Sequence, residues 1–481
     1  MFLRHSIFYF FARGVPSLIA FLSVAIFTRL MDPQEFGIYA LGYTSALLVS
    51  SIFFQWLRIG LLRFYQECGK EQRAILISTI VAAFCLVALI LLTVSALIYF
   101  INRNVLVAII VVFALVQSIF DILLERLRSE FTPVKFGMLA FVRSALMLLG
   151  GVIGLRLAGI IGLFTGLITG VALVVTFELY ALAPHIRLGR ADRAMVLRLL
   201  YFGIPLTATF AFASVMGFAD RYMLAWLVGI SSSGQYSAAY DLTQKVVVTL
   251  MMIINLAGYP LLLKAQAQGD TDGLHKLMEY TLNGLILVSL PVVTAFIVVP
   301  SAIVGVLLGA DFRQSSIVLL PWLGFAALIE GLTIYYFNLS FQLKQSTYHQ
   351  IWIVALAAVL NVLLNFWLIP HFYELGAAWA TLIANFFALL LSFLISRKQI
   401  RLPLFTSDSS RIILSALLLG ACLTMLFPVL DIAIASRYVK LTLLVVFGGV
   451  IYIGMNLILD TTGFRSHAWS EWTSRFRRLK G

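Results

Sequence analysis

Residues 81–99 read VAAFCLVALILLTVSALIY, nineteen consecutive positions without a charged side chain. A helix of about 20 apolar residues crosses the hydrocarbon core of a bilayer, whereas a membrane-spanning β-strand needs about 10 residues and alternates apolar with polar ones. This stretch does not alternate, and neither do residues 356–368. The 481-residue chain is 62% hydrophobic and 11% charged, while soluble proteins carry about 25% charged residues. The sequence therefore predicts an all-α polytopic membrane protein.

Apolar runs of this kind recur along the whole chain, separated by short polar or Gly/Pro-containing breaks. We predict fourteen transmembrane helices, at residues 7–28, 37–57, 74–100, 105–124, 136–156, 158–182, 201–228, 233–262, 277–308, 316–342, 350–369, 375–396, 411–430 and 439–459. The first run follows Arg4 and lacks a small-residue cleavage site, so we expect an uncleaved span. Pro291 and Pro300 predict a kink or break in the ninth run, because proline removes a helical hydrogen bond.

The distribution of basic residues supports this count. With the N-terminus placed in the cytoplasm, 24 lysines and arginines fall in cytoplasmic segments, 6 in outer segments and 4 within spans. The positive-inside rule requires such an asymmetry, and one missed or extra span would scramble it. Both termini are therefore predicted to be cytoplasmic, and the net charge of +13 is mainly a topology signal.

Three short sequence elements recur in the same order in the two halves of the chain. Residues 14–16 (GVP), 36–39 (FGIY) and 161–166 (IGLFTG) correspond to residues 203–205 (GIP), 233–236 (SGQY) and 375–380 (LGAAWA). The offsets of 189, 197 and 214 residues map each span onto the sixth span after it, so both halves have the same orientation. Parallel repeats of this kind occur in secondary transporters. The predicted organisation is a six-helix bundle at 1–183, a basic cytoplasmic linker at 184–200, a second six-helix bundle at 201–398, and two added helices with a basic tail at 399–481.

Several classes of function have no support in the sequence. Cys68, Cys85 and Cys422 form no CxxC pair, and the six histidines fall in polar segments between spans, so no metal site is predicted. HExxH, P-loop and GxSxG motifs are absent from the sequence. Because no soluble basic domain is present, we expect no nucleic-acid partner. No cofactor is predicted either.

Three segments resemble a known family. These are residues 29–40 (RLMDPQEFGIYA), residues 220–221 (DR) with 234–240 (GQYSAAY), and residues 365–370 (NFWLIP) with 375–378 (LGAA). They resemble the first outer loop, helices seven and eight, and the turn between helices eleven and twelve of bacterial polysaccharide flippases of the Wzx type. Those flippases belong to the multidrug/oligosaccharidyl-lipid/polysaccharide exporter superfamily, and the resemblance covers essentially the full length.

The resemblance implies two six-helix bundles arranged as a V around a central cavity. It also implies movement of an undecaprenyl-pyrophosphate-linked oligosaccharide from the cytoplasmic to the outer leaflet of the bacterial inner membrane by alternating access. Its partners would be membrane lipids and the polymerase and chain-length proteins of the same pathway. One rival interpretation is a drug/ion antiporter of the same superfamily. The other is a membrane-embedded enzyme of polysaccharide assembly, which the short outer loops disfavour.

Four basic residues lie within predicted spans, where a charge costs about 2.5–3.5 kcal/mol at a helix centre. They are Arg13, Arg143, Arg221 and Lys245. Guanidinium groups bind phosphate oxygens bidentately, so we predict that this set offers successive partners to a pyrophosphate. Structural ion pairs are the alternative, because Asp220 adjoins Arg221 and Asp241 lies one helical turn before Lys245. No acid close in sequence accompanies Arg13 or Arg143, which favours cavity positions for these two.

Intramembrane acids are candidates for energy coupling, because a carboxyl group held away from water can carry a proton. Asp220, Asp241 and Glu330 are the three candidates, and the coupling ion is H⁺ or Na⁺. Asp121 and Glu178 lie near predicted cytoplasmic ends and are expected to be solvated.

Uncharged polar residues also occur within the spans. Glu330, Asn338 and Gln342 fall within about 120° on one helix face. Asn361 and Asn365 are spaced one turn apart. We predict that this set lines the cavity and binds sugar hydroxyls, and hydrogen bonding between helices is the alternative.

Two further patterns have structural explanations beside functional ones. Arg58 and Arg63 at the predicted cytoplasmic mouth are positioned to attract anionic headgroups, although topology control also accounts for them. Gly162, Gly166 and Gly170 repeat every four residues and predict close helix packing.

Overall fold

The computed structural model describes residues 2–182, 191–344, 346, 348–400, 402–404 and 406–461, with side chains for all of these except 2–13, 70, 209, 213 and 216. Within these ranges the regular structure is entirely helical. Eleven helical segments are long and apolar enough to cross a membrane. A helix suits such runs because in hydrocarbon each backbone N–H and C=O must bond within its own segment. The predicted all-α polytopic fold is confirmed.

Two of these segments are long enough to cross twice. Helix α6 (Pro133–Leu182) has 50 residues and is broken at Gly159, where φ is 57°. Helix α14 (Tyr348–Ser396) has 49 residues and is broken at Tyr373, where φ is 52°. Counting each as two crossings and adding α1 (Phe2–Leu30), whose apolar part is Gly14–Leu30, gives the fourteen crossing segments predicted from the apolar runs.

The helices group into two compact units, and the first comprises Met1–Ser237 and Ala358–Tyr373. It contains α1, α2 (Pro33–Phe53), α3 (Gln55–Phe64), α4 (Lys70–Asn102), α5 (Val105–Ser129), α6, α7 (Arg193–Leu227), the first half of α8 (Ile230–Thr243) and a middle section of α14. The predicted bundle boundaries follow the repeat rather than compactness, and they stay predictions.

The second unit comprises Ala238–Ala357 and Glu374–Gly481. It contains the end of α8, a π-helical segment (Gln244–Val248), α9 (Thr249–Ala267), α10 (Thr271–Val298), α11 (Pro300–Leu307), α12 (Arg313–Leu332), a second π-helical segment (Thr333–Phe337), α13 (Asn338–Leu343), the remaining parts of α14, α15 (Ser407–Ala433) and α16 (Arg437–Ile458). Helix α10 continues through Pro291 and ends just before Pro300. The predicted break in the ninth run therefore occurs at the second proline.

The segment at residues 29–40 builds the start of α2. The Asp32 side chain caps this helix and accepts a hydrogen bond from the backbone N–H of Glu35 at 2.8 Å. Pro33 occupies the first turn, where a missing N–H costs nothing because that donor has no helical partner. This is why the chain turns from α1 into α2 over only two residues.

Two glycines let α2 and α8 approach each other closely within the first unit. A side chain at Gly37 would collide with the backbone of Ile230, and one at Gly234 would collide with the backbone of Pro33. The contacts are reciprocal, since an offset of 197 residues maps Pro33 onto Ile230 and Gly37 onto Gly234. Corresponding segments meet in this way across a two-fold axis.

Helices α3 and α7 make a second close contact, at the predicted cytoplasmic end of the same unit. The Cβ of Trp56 lies against Gly203, and the Leu199 side chain packs over Gly60. The Arg198 guanidinium adds an ion pair with Glu67 at 2.8 Å. The α2–α3 and α7–α8 segments are thus in contact at both ends.

Candidate functional site

A chain of polar side chains connects α6, α5 and α3 in the first unit. Arg143 Nη2 donates to Gln117 Oε1 at 2.9 Å, and Gln117 Nε2 donates to Asp121 Oδ1 at 3.1 Å. Asp121 Oδ2 lies 3.6 Å from Arg58 Nη1, which also donates to Gln55 Oε1 at 2.9 Å. Gln117 is 3% exposed, so a buried neutral amide joins Arg143 to the carboxylate that Arg58 contacts directly. We call Arg143, Gln117, Asp121 and Arg58 the basic network.

The basic network carries more positive than negative charge, since two guanidinium groups share the single carboxylate of Asp121. The Nε atoms of Arg58 and Arg143 are buried and have no hydrogen-bond partner among the described residues. The network therefore has N–H donors left over for an anion. Arg143 also lies over the ring of Phe120, with 4.8 Å from its Cζ to the ring centroid, which helps to hold the guanidinium in place.

One sequence-based expectation is corrected by this arrangement. Asp121 is not simply solvated, because it accepts from Gln117 and pairs with Arg58. Arg143 has no acid near it in sequence but reaches Asp121 through the amide of Gln117. The Arg143–Gln117 and Arg58–Asp121 contacts join different helices, and sequence spacing within one helix cannot reveal them.

A second polar cluster in the first unit joins α7, α8 and α14. Asp220 Oδ2 accepts from the hydroxyl of Tyr236 at 2.7 Å, and Oδ1 accepts from Asn365 Nδ2 at 2.5 Å. Asn365 Nδ2 also lies 3.1 Å from Asn361 Oδ1, and Asn365 Oδ1 is buried without a hydrogen-bond partner among the described residues. All four side chains are at most 2% exposed. We call Asp220, Tyr236, Asn361 and Asn365 the Asp220 cluster.

The remaining predicted basic residues occupy different surroundings. Arg221 is 4% exposed and follows Asp220 in α7, while its backbone carbonyl accepts from Ser233 Oγ at 2.9 Å. Lys245 Nζ lies 3.8 Å from Asp241 Oδ2, so the proposed ion pair at this helical spacing is confirmed. The side chain of Arg13 lies outside the described residues.

In the second unit, Glu330 on α12 accepts from Gln244 Nε2 at 2.7 Å. Asn385 on α14 also hydrogen bonds to the Glu330 carboxyl group. Asn338 Oδ1 accepts from Ser392 Oγ at 3.2 Å. Glu330 and Asn338, two of the three residues of the predicted stripe, therefore bond to the second half of α14. These are inter-helix hydrogen bonds, the alternative to sugar binding.

Gln342 differs from the other stripe residues because the structure gives its half-buried side chain no partner within the described ranges. Glu330 lies three residues before the second π-helical segment, and Gln244 is the first residue of the first segment. The sequence analysis missed both segments, since a local change from i→i+4 to i→i+5 hydrogen bonding has no side-chain signature.

Other predicted positions have structural partners. Glu178 is 1% exposed and pairs with Lys135 Nζ at 2.9 Å, so the expectation that it is solvated is wrong. Arg63 pairs with Glu67 at 3.1 Å and remains exposed.

The predicted close packing at the glycine repeat is confirmed within α6. The two halves of this helix run antiparallel, with Gly154 against Gly162 and Gly150 against Gly166, backbone to backbone. Gly170 meets the backbone of Leu146 in the same way. Every one of these contacts would be blocked by a side chain at the glycine.

No group of three or more His, Cys, Asp or Glu side chains among the described residues is placed to hold a metal ion. The clusters above combine carboxylates with amides, hydroxyls and guanidinium groups. They are therefore suited to binding an anion, a proton or a monovalent cation.

Comparison with known proteins places these features in context. Residues 26–317 match the family described as "Polysaccharide biosynthesis protein". No curated protein sequence matches the chain significantly.

Several solved structures share the fold. The lipid II flippase MurJ, in an inward closed conformation, aligns with a TM-score of 0.78 at 14% identity, covering 94% of this chain and 99% of that one. A multidrug resistance MATE family transporter of the MOP superfamily, in an inward-facing conformation, aligns with a TM-score of 0.66 at 12% identity, covering 81% and 97%. The MATE multidrug transporter DinF-BH aligns with a TM-score of 0.58 at 14% identity, covering 82% and 94%.

Proposed function

Because the chain belongs to the family of polysaccharide biosynthesis proteins, we propose that it is a flippase for a lipid-linked oligosaccharide. The substrate is an undecaprenyl-pyrophosphate-linked unit, which moves from the cytoplasmic to the outer leaflet of the bacterial inner membrane for export of exopolysaccharide, O antigen or capsule. The protein is a multi-pass membrane protein with the fold of membrane transporters. Both termini are proposed to be cytoplasmic, as the distribution of basic residues predicts.

The basic network is the observation that carries this proposal. A pyrophosphate cannot cross hydrocarbon unless its charge is compensated, and arginine is the side chain that fits phosphate oxygens best. Arg143 and Arg58 offer two guanidinium groups against one carboxylate, with unpartnered Nε atoms on both. A cationic drug would be repelled by this excess positive charge, so the network favours the flippase over the antiporter. Arg13, Arg221 and Lys245 remain proposed further contacts for the pyrophosphate.

We place the coupling ion at the Asp220 cluster. A buried carboxylate with amide oxygens beside it presents the ligands that Na⁺ prefers, and the same carboxylate can accept a proton. The unpartnered Oδ1 of Asn365 supplies an acceptor that a cation would satisfy. Asp241 is a weaker candidate because Lys245 already pairs with it.

Alternating access needs contacts that can open at one end while the other stays closed. The α2–α8 glycine contact and the α3–α7 contact with its Arg198–Glu67 ion pair are candidates for these two closures. Gln342 and the two asparagines of the Asp220 cluster are proposed contacts for sugar hydroxyls. The pathway's polymerase and chain-length proteins are the proposed protein partners.

Reconstituted flipping of a fluorescent undecaprenyl-pyrophosphate oligosaccharide tests this proposal. We expect Arg143→Ala to lower the flipping rate by about 10–150-fold, since a hydrogen bond to a charged group contributes about 1.5–3 kcal/mol. Arg143→Lys should retain part of the rate because it keeps the charge. Arg128→Ala is the matched control, because Arg128 pairs with Glu125 at an exposed position.

Two results would refute the proposal. One is wild-type protein that inserts and folds in the vesicles but does not move the lipid-linked sugar. The other is a depleted strain in which no lipid-linked sugar accumulates on the cytoplasmic side. Proton- or sodium-driven efflux of a cationic dye by the same vesicles would instead support the antiporter.

A further inference from the structure

Two π-helical segments lie beside one polar contact in the second unit. The segment Gln244–Val248 interrupts the helix formed by α8 and α9, and Thr333–Phe337 interrupts the helix formed by α12 and α13. Single π-helical turns are rare and are found mostly at functional sites. Here the Gln244–Glu330 hydrogen bond connects the first residue of one segment to a residue three positions before the other.

The side chain of Met251 packs against Gly331, the residue after Glu330. A side chain at Gly331 would collide with the sulfur of Met251, which is fully buried on α9. Met251 lies seven residues after Gln244, just beyond the first π-helical segment. The two interrupted helices therefore touch at a polar point and at an apolar point, both adjoining π-helical turns.

Glu330 has surroundings unlike those of three other acids in the spans. Its partners are the amides of Gln244 and Asn385, and no ion pair joins it to any described residue. Asp121, Glu178 and Asp241, by contrast, each pair with a basic side chain. An unpaired charge within a membrane span is costly and usually marks a functional site.

The neighbouring helices hold few other titratable groups. Asp241 and Lys245 on the adjoining helix pair with each other. Glu279 lies on α10, and Tyr336 lies in the second π-helical segment, where its hydroxyl donates to the carbonyl of Pro403. None of these groups supplies a counter-charge to Glu330.

The amide partners suit both charge states of a carboxyl group. An amide presents N–H donors on one side and a carbonyl acceptor on the other. It can therefore donate to the ionised carboxylate, and after rotation it can accept from the protonated acid. A metal cation would instead need several oxygen acceptors converging on one point, whereas Gln244 presents its nitrogen to Glu330.

We propose that Glu330 is a proton-binding site, separate from the Asp220 cluster, that controls the two π-helical segments. The carboxylate takes one proton from a hydronium ion: the carboxyl O–H bond forms as one hydronium O–H bond breaks, which leaves the neutral acid and a water molecule. Protonation weakens the bond that Gln244 donates, since a charged acceptor binds more strongly than a neutral one. The π-helical turns are then free to convert to α-helix.

Conversion of one π-helical turn shifts the chain beyond it by one residue. In an α-helix this is a rotation of about 100° and an advance of about 1.5 Å. The parts beyond the two turns are α9 and α13, so α9 would move against α12 where Met251 packs on Gly331. The inference rests on the proposed flippase function in one respect: protonation of Glu330 would then be one step in the proton-coupled opening of the transporter.

Amide hydrogen exchange of the purified protein in lipid nanodiscs, followed across a pH series and corrected for intrinsic exchange rates, tests the proposal without any glycolipid. In the wild type we expect protection at residues 244–251 and 333–338 to fall as the pH is lowered. Glu330→Gln should lose this pH dependence, because the amide cannot bind a proton. Glu178→Gln is the control and should retain it, since Glu178 is buried but paired with Lys135.

A second variant keeps the proposal testable if Glu330→Gln does not fold. Gln244→Leu keeps the carboxyl group but removes the bond between the two helices, so exchange in both segments should be fast at every pH. Wild-type protection that does not change with pH would overturn the proposal, and so would pH dependence that persists in Glu330→Gln. Failure of flipping in vesicles would leave this result unaffected, so the two proposals fail separately.

Discussion

Removing the Tyr236 hydroxyl perturbs the Asp220 cluster with little change in shape. The hydroxyl donates to Asp220 Oδ2 at 2.7 Å, and both side chains are at most 2% exposed. A hydrogen bond to a charged group contributes about 1.5–3 kcal/mol, and its loss leaves a buried acceptor unsatisfied. We therefore expect Tyr236→Phe to lower the free energy of unfolding by about 2 kcal/mol.

The assay is denaturant unfolding in detergent, combined with a double-mutant cycle. Asp220→Asn and the double variant complete the cycle, and the coupling energy should exceed about 1 kcal/mol because the two groups are in direct contact. Tyr438→Phe is the control, since Tyr438 is 66% exposed. A coupling energy below about 0.5 kcal/mol, or equal losses in Tyr236→Phe and the control, would refute the assignment of a charged, hydrogen-bonded Asp220.

Two further predictions concern regions outside the proposed sites. Gly162→Leu should destabilise the protein by about 1–3 kcal/mol or more, because a side chain there collides with the backbone of Gly154; Gly449→Leu, at a position with open space, should change thermal stability little. Burial and a hydrogen bond to Glu130 raise the pKa of Tyr65, which lies between α3 and α4. A raised pKa gives stability that is present below pH 10 and is lost as the pH rises beyond it, so Tyr65→Phe should flatten that alkaline loss in pH-dependent unfolding.

The fold could be predicted from the sequence because length and hydropathy alone decide which segments span a bilayer. The breaks in α6 and α14 separate the predicted runs 136–156 from 158–182 and 350–369 from 375–396. The family resemblance is also confirmed: the chain belongs to the family of polysaccharide biosynthesis proteins, and it shares its fold with the lipid II flippase MurJ and with a MATE family transporter.

The candidate site was harder to predict because its contacts join helices that are far apart in sequence. The Asp241–Lys245 pair was predictable, since both residues lie on one helix face. The bridge from Arg143 to Asp121 was not, because its first bond joins Arg143 on α6 to Gln117 on α5, which lies 26 residues away in sequence. Residues with the same chemistry can face lipid, protein or water, and only packing decides among these.

The hydrogen bond between Arg143 and Gln117 bears on how quickly a bound anion would leave in the proposed cycle. A transporter must release its cargo as well as capture it, and a guanidinium committed to a buried carboxylate must break a strong ion pair at each cycle. In the proposed cycle, Arg143 would instead exchange its bond to the neutral amide of Gln117 for a bond to phosphate. The bond to the amide contributes about 1.5–3 kcal/mol because the guanidinium is charged, and it can form again after the anion leaves. Under the proposed function, Gln117 would therefore hold the Arg143 side chain between turnovers without a carboxylate that competes with the anion for it.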